Sequence, residues 1–166
     1  MGRYRPPAAA KSPYITRHGY ETMQAEMKAL WKRRQHVTEA LSAAAAEGDR
    51  SENAEYIYRK KELRSIDFRI RYLQKRLPNL TVVDQLPTNT VQVFFGAWVT
   101  LEDAQGNEHT YRIVGPDEFD MEREYISMDS PMARALMKKR LDDDIVVQTP
   151  DGKVEYTIND IRYTKS

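Results

Sequence analysis

Between residues 16 and 77, apolar and polar residues alternate with the 3-and-4 spacing of helices that bury one stripe each. Tyr20, Met23, Met27, Leu30, Arg34, Val37, Leu41 and Ala44 form one such series, apolar at seven of eight positions. Tyr56, Arg59, Leu63, Ile66, Ile70, Leu73 and Leu77 form a second, apolar at six of seven. Seams of this kind interlock by knobs-into-holes packing. Thr16 suits a helix N-cap, and no proline interrupts until Pro78. Glu47-Gly48-Asp49-Arg50-Ser51 separates the two series, with Gly48 suited to a helix C-terminus. A connection this short predicts an antiparallel hairpin. With the turn near residue 50, facing positions sum to about 100, so Leu41 lies near Arg59 and Arg34 near Ile66. At ~1.5 Å per residue, residues 17–46 span a rod of ~45 Å. Two helices bury too little for an ordinary globular core, so the rod is expected to project from a body.

The pattern changes after Pro78. Val91–Leu101 is rich in strand formers, Gln105-Gly106-Asn107 reads as a hairpin turn, and His109–Val114 as its return strand. Tyr125–Met128 predicts a third strand. Pro131 opens a helix reaching about Lys139, because proline suits the first helical position. Ile145–Thr149 and Val154–Ile158 flank a turn at Asp151-Gly152, with Ile161 and Tyr163 extending the last strand. The expectation is an α+β chain in three parts. Residues 1–13 are a flexible tail, with no regular element before Thr16; 14–79 are the helical hairpin; 80–166 are a small antiparallel sheet with one helix.

Composition narrows the chemistry. The 166 residues include no cysteine, which excludes disulfides, thiolate zinc sites and cysteine nucleophiles. His18, His36 and His109 lack metal-ligand spacing. No apolar run approaches the ~20 residues of a membrane span, and Met1–Pro7 lacks the apolar core of a signal peptide, so the expectation is a cytoplasmic protein with no membrane partner. The net charge of +1 conceals an asymmetry: residues 1–77 carry 17 Lys and Arg against 9 Asp and Glu, and the remainder carries 9 against 16. Such halves suit different partners.

Three groups of residues carry candidate chemistry. Glu47, Asp49, Glu52 and Glu55 cluster at the hairpin apex, where Asp49 and Glu52, three apart, can share a hard cation such as Mg²⁺. The same spacing is also that of a capping box, with Asp49 or Ser51 as cap. Along the second helix eight cations (Arg59, Lys60, Lys61, Arg64, Arg69, Arg71, Lys75, Arg76) face three acids, a balance that suits a phosphate backbone. Tyr56 and Tyr58 lie near the apex, the first on the seam and the second off it. Met128 to Leu136 enters the short helix through Ser130-Pro131, either as an adaptable binding surface or as a cap with core methionines. No phosphate loop, nucleophile elbow or catalytic triad spacing is present, so no complete active site is expected within the chain.

Gly48-Asp49-Arg50-Ser51-Glu52-Asn53-Ala54-Glu55-Tyr56 is similar to the apex motif of the bacterial Gre transcript-cleavage factors. Ile15–Tyr20, Phe94–Val99, Tyr111–Gly115 and Tyr125–Leu136 match as well, so the resemblance covers about residues 14–164. The Arg after Asp49 and the Phe-Phe-Gly-Ala-Trp segment resemble the GreB branch more than the GreA branch. The resemblance implies a coiled-coil hairpin joined to an FKBP-like domain. That domain docks on the rim of the bacterial RNA polymerase secondary channel while the hairpin enters it. It further implies that Asp49 and Glu52 help hold a second Mg²⁺, bound only within the polymerase complex, and orient the water with which polymerase cuts the 3′ end of backtracked RNA. Arg59, Lys60, Lys61, Arg64 and Arg71 then contact the nascent RNA, and Asp129, Ser130 and Pro131 hold polymerase. A Gre-related inhibitor that occludes the channel is the alternative.

Overall fold

The computed structural model describes residues 10–47 and 53–164. Its elements are β1 (Tyr14–Ile15), α1 (Arg17–Ala45), α2 (Ala54–Arg76), β2 (Thr81–Val82), β3 (Trp98–Asp103), β4 (Glu108–Val114), β5 (Tyr125–Ser127), α3 (Pro131–Leu136), β6 (Asp144–Thr149) and β7 (Gly152–Arg162). The chain divides into two compact units, one running from His18 to Leu80 and the other combining the residues through Arg17 with those from Thr81 onward. Among the described residues no helix is long and apolar enough to cross a membrane.

The first unit is the helical hairpin. Every seam position named above is buried or half-buried, with Met23, Val37 and Ala44 buried on α1 and Ile66, Ile70 and Leu73 on α2. Val37, Ile66 and Ile70 form its central cluster, backed by Leu30 and Leu63. Ion pairs flank the seam: Arg33 to Glu62 at 2.6 Å, Arg34 to Asp67 at 2.7 Å, and Arg69 to Glu26 at 2.7 Å. The residue numbers of these partners add to between 95 and 101, close to the register that a turn near residue 50 requires. The 29 residues of α1 make a rod of ~43 Å.

The second unit is a five-stranded sheet in the order β5-β4-β3-β7-β6, with α3 beside it. Val99, Leu101, Ile113, Leu136 and Ile158 are fully buried in its core. The turn between β3 and β4 follows the sequence expectation: Gly106 takes φ +83°, and the Asp103 carboxylate accepts hydrogen bonds from the backbone N–H groups of Gln105 and Asn107, each at 2.9 Å. Ser130 caps α3 by accepting from the Ala133 N–H at 3.2 Å, with Pro131 in its first turn.

Four expectations are corrected. The strand expected from Val91 begins only at Trp98, because Gly96 turns the chain at φ +87°. Residues 92–94 are instead held by other segments: Val93 exchanges 2.8 Å backbone hydrogen bonds with Lys138 and Lys139, and the Phe94 N–H donates to the Tyr163 hydroxyl at 2.8 Å. The sheet is mixed, since β5 runs parallel to β4. Residues 115–124 loop back across the end of β4 rather than reversing in a hairpin. Helix α3 stops at Leu136, where the chain reaches the left-handed Lys138 (φ +66°) and turns to pair with Val93. Finally, residues 12–15 are not a loose tail, and 14–17 lie with the sheet unit. β1 pairs in parallel with β2, the Ser12 N–H and hydroxyl donate to Asp129 at 3.0 and 2.5 Å, and the Thr16 N–H and hydroxyl donate to Glu118, the N–H at 3.0 Å. Long-range polar contacts of this kind leave no periodic trace in sequence. The remainder of the tail, residues 1–9, lies outside the described residues.

Candidate functional site

At the apex the described residues come up to Glu47 and resume at Asn53, so Gly48, Asp49, Arg50, Ser51 and Glu52 lie outside them. The flanks are informative. Asn53 is the N-cap of α2: its side-chain oxygen accepts from the Tyr56 N–H at 3.1 Å. Its amide donates to the Ala44 carbonyl at 2.8 Å, which ties the start of α2 to the end of α1. A capping box on this helix would need Glu or Gln at position 56, where Tyr stands. Asn53 therefore occupies the N-cap position of α2.

The expected cation stripe divides in two. Arg59 sits on the seam, half-buried, and bonds to Glu55 at 2.8 Å and Glu62 at 3.1 Å. Its hydrogen bond to Glu55 outweighs desolvation, and with the pull of Glu62 its pKa is raised further. Desolvation pushes the Glu62 carboxyl up, but hydrogen bonds and charge from Arg33 and Arg59 outweigh it and hold that group below the usual carboxylate range. Arg59 is thus committed to shaping the hairpin. Lys60, Lys61, Arg64 and Arg71 are exposed. The Lys60 ammonium lies 5.8 Å from the Tyr56 ring centroid, and the Arg71 Nε donates weakly to the Asp67 carbonyl at 3.4 Å. All three acids of α2 are engaged, Glu55 by Arg59, Glu62 by Arg33 and Arg59, and Asp67 by Arg34. Charge is thereby sorted along the helix: Arg59 and Arg69 are drawn into ion pairs, while Lys60, Lys61, Arg64 and Arg71 stay on its exposed face. Tyr56 is half-buried, as a seam residue should be, and Tyr58 is 60% exposed.

Asp129, Ser130 and Pro131 are brought together at the entry to α3. Asp129 accepts both hydrogen bonds from Ser12, and its own N–H donates to the Ser127 hydroxyl at 3.0 Å. Met128 and Met132 are half-buried against the sheet core, which favours packing over a flexible binding surface. Sequence reasoning missed Ser12, whose signal was too weak to read, and Asn53, which the capping residues around it obscured. It also missed Phe68, 72% exposed on the outer face of α2. Phe68 was findable as an aromatic residue at a position the seam leaves outside.

Two family models cover most of the chain: "Transcription elongation factor, N-terminal" over residues 13–82, and "Transcription elongation factor, GreA/GreB, C-term" over residues 88–163. The chain is 55% identical to transcription elongation factor GreB of Pseudomonas aeruginosa over 164 residues, 98% of each protein. It is 57% identical to GreB of Haemophilus ducreyi over 159 residues, 95% of this chain and 98% of that one. Among solved structures, GreA factor homolog 1 of Thermus thermophilus aligns at 26% identity and a TM-score of 0.43, covering 92% of this chain and 99% of that one.

Proposed function

The chain belongs to the GreA/GreB family of transcription elongation factors, and we propose that it acts on backtracked RNA polymerase by presenting the hairpin apex to the polymerase active centre. The observation that supports this reading is the Asn53 cap, which fills the N-cap position that Asp49 or Ser51 was expected to take. Asp49 and Glu52 are hard oxygen donors of the type Mg²⁺ prefers, and they would hold the ion jointly with polymerase. Such an ion supplies charge stabilisation at the scissile phosphate and lowers the pKa of attacking water. The role of the two side chains is to add ligands and orient that water, with no covalent step, so the factor completes polymerase's site and is not itself an enzyme. Lys60, Lys61, Arg64 and Arg71 line the path of the extruded RNA. Arg59 supports them indirectly, by occupying Glu55 and Glu62. Asp129, Ser130 and Pro131 dock on the polymerase rim, with Ser12 holding the Asp129 carboxylate. The site of action is then the cytoplasm.

A channel-occluding inhibitor would have no use for the acidic pair, and one experiment separates the readings. Single-turnover RNA cleavage is measured in a stalled, backtracked complex across a Mg²⁺ titration. The Asp49→Asn, Glu52→Gln double variant keeps capping-competent residues, so it binds polymerase and melts like the parent while stimulated cleavage falls at least about 100-fold, partly restored by high Mg²⁺. Asp129→Ala has the opposite signature: weaker binding, with cleavage recovered at saturating factor. Parent-level cleavage by the double variant would refute the mechanism.

A further inference from the structure

Along the outer face of α2 the residues Ile57, Lys61, Arg64, Phe68, Arg71 and Lys75 recur at alternating spacings of four and three, and all are exposed. This is a second stripe with the same period as the seam. It holds four cations and no acid. Phe68 lies within it at 72% exposure, with Arg64 about one turn before and Arg71 about one turn after. The other apolar member, Ile57, is eleven residues away. The apolar surface of Phe68 is therefore isolated among positive charges, which is unlike the contiguous patch a protein partner would cover. It matches the arrangement that binds single-stranded nucleic acid: cations that follow the backbone, and an aromatic face on which a base stacks without regard to its identity.

We propose that Phe68 is a base-stacking site for the extruded single-stranded RNA; this rests on the reading of the hairpin as a guide for backtracked transcript. The geometry also sets which nucleotide it meets. Phe68 lies fifteen residues beyond the Asn53 cap, ~22 Å along the helix. A stacked strand covers ~3.4 Å per nucleotide, so the span corresponds to at most about seven nucleotides, and fewer if the strand is stretched. RNA extruded by two nucleotides falls short of Phe68, and RNA extruded by eight reaches it.

The test uses the full-length factor with complexes backtracked by two or by eight nucleotides, and measures the factor's apparent Kd and the cleavage rate for each. Phe68→Leu keeps an apolar side chain but removes the ring, and Phe68→Trp enlarges the ring. On eight-nucleotide complexes, Phe68→Leu weakens apparent binding about five-fold or more, while Phe68→Trp stays within about two-fold of the parent; on two-nucleotide complexes both match it. A parent-like Phe68→Leu on the longer RNA overturns the proposal. So does an equal loss at both lengths, which assigns Phe68 to a contact with polymerase, or a Phe68→Trp defect as large as that of Leu. If the parent protein itself stimulates no cleavage at either length, the reading of the hairpin fails and this site falls with it.

Discussion

The two units are stabilised in different ways. The hairpin has a narrow core: Val37, Ile66 and Ile70 at its centre, with ion pairs on either side taking over where apolar contact ends. The sheet unit has a true interior, with Val99, Leu101, Ile113, Leu136 and Ile158 wholly removed from water. The hairpin is therefore suited to present side chains along its length, on a core only two helices thick. The sheet unit is suited to hold fixed loops, because distant segments lock one another: Ser12 to Asp129, Thr16 to Glu118, Phe94 to Tyr163. Exposed cations are concentrated along the unit with less core, while locking contacts between distant segments are concentrated in the other.

The sharpest way to probe this contrast is Gly115→Ala. A Cβ at Gly115 would lie 2.0 Å from the Tyr14 carbonyl oxygen, a backbone atom with nowhere to retreat without parting β1 from β2. The expected cost is about 3 kcal/mol or more, since overpacking against backbone cannot relax by a rotamer change. Hydrogen exchange should show lost protection at the Thr81 and Val83 amides, which donate to the Pro13 and Ile15 carbonyls. Unchanged protection there would mean that the N-terminal strand is not locked as described.

Next in size is a paired comparison of core truncations. Leu136→Ala, in the sheet interior, should cost about 2–5 kcal/mol. Val37→Ala, in the hairpin seam, should cost about 2 kcal/mol, because it removes fewer buried carbon atoms than Leu136→Ala. Denaturant unfolding gives the magnitudes, and hydrogen exchange assigns each loss to its own unit. A larger loss from Val37→Ala would invert the comparison.

The smallest effect concerns the ion pairs that substitute for core in the hairpin. The Glu62 carboxyl is held below its ordinary value. Its stabilising contribution is therefore complete above the unfolded carboxylate pKa of ~4.3 and is lost as pH falls through the lower folded value. Glu62→Gln should lower the melting temperature slightly at pH 7 and flatten its decline as pH falls below the unfolded carboxylate value of ~4.3. If the parent and the variant decline in parallel below pH 4.5, Glu62 is not a significant acid-sensitive contact.

The sequence by itself determined the hairpin almost completely. The seam, the antiparallel pairing and the register follow from local i, i+3 and i+4 relations, and each seam residue from Tyr20 to Leu77 is buried or half-buried as its spacing required. It also determined the segregation of cations to α2 and of acids to the apex, because charge and spacing are properties of the chain. Tertiary structure alone decided the rest. Only folding shows that Asn53, rather than Asp49 or Ser51, caps α2, since several adjacent residues shared the same capping chemistry. The spacing put Arg59 on the seam, but only folding shows its partners, Glu55 and Glu62, which commit it to the hairpin while Lys60, Lys61, Arg64 and Arg71 stay exposed. The parallel course of β5 depends on how residues 115–124 return the chain beside β4, and the attachment of Ser12 through Thr16 to the sheet unit on contacts across more than a hundred residues, neither of which a local period encodes.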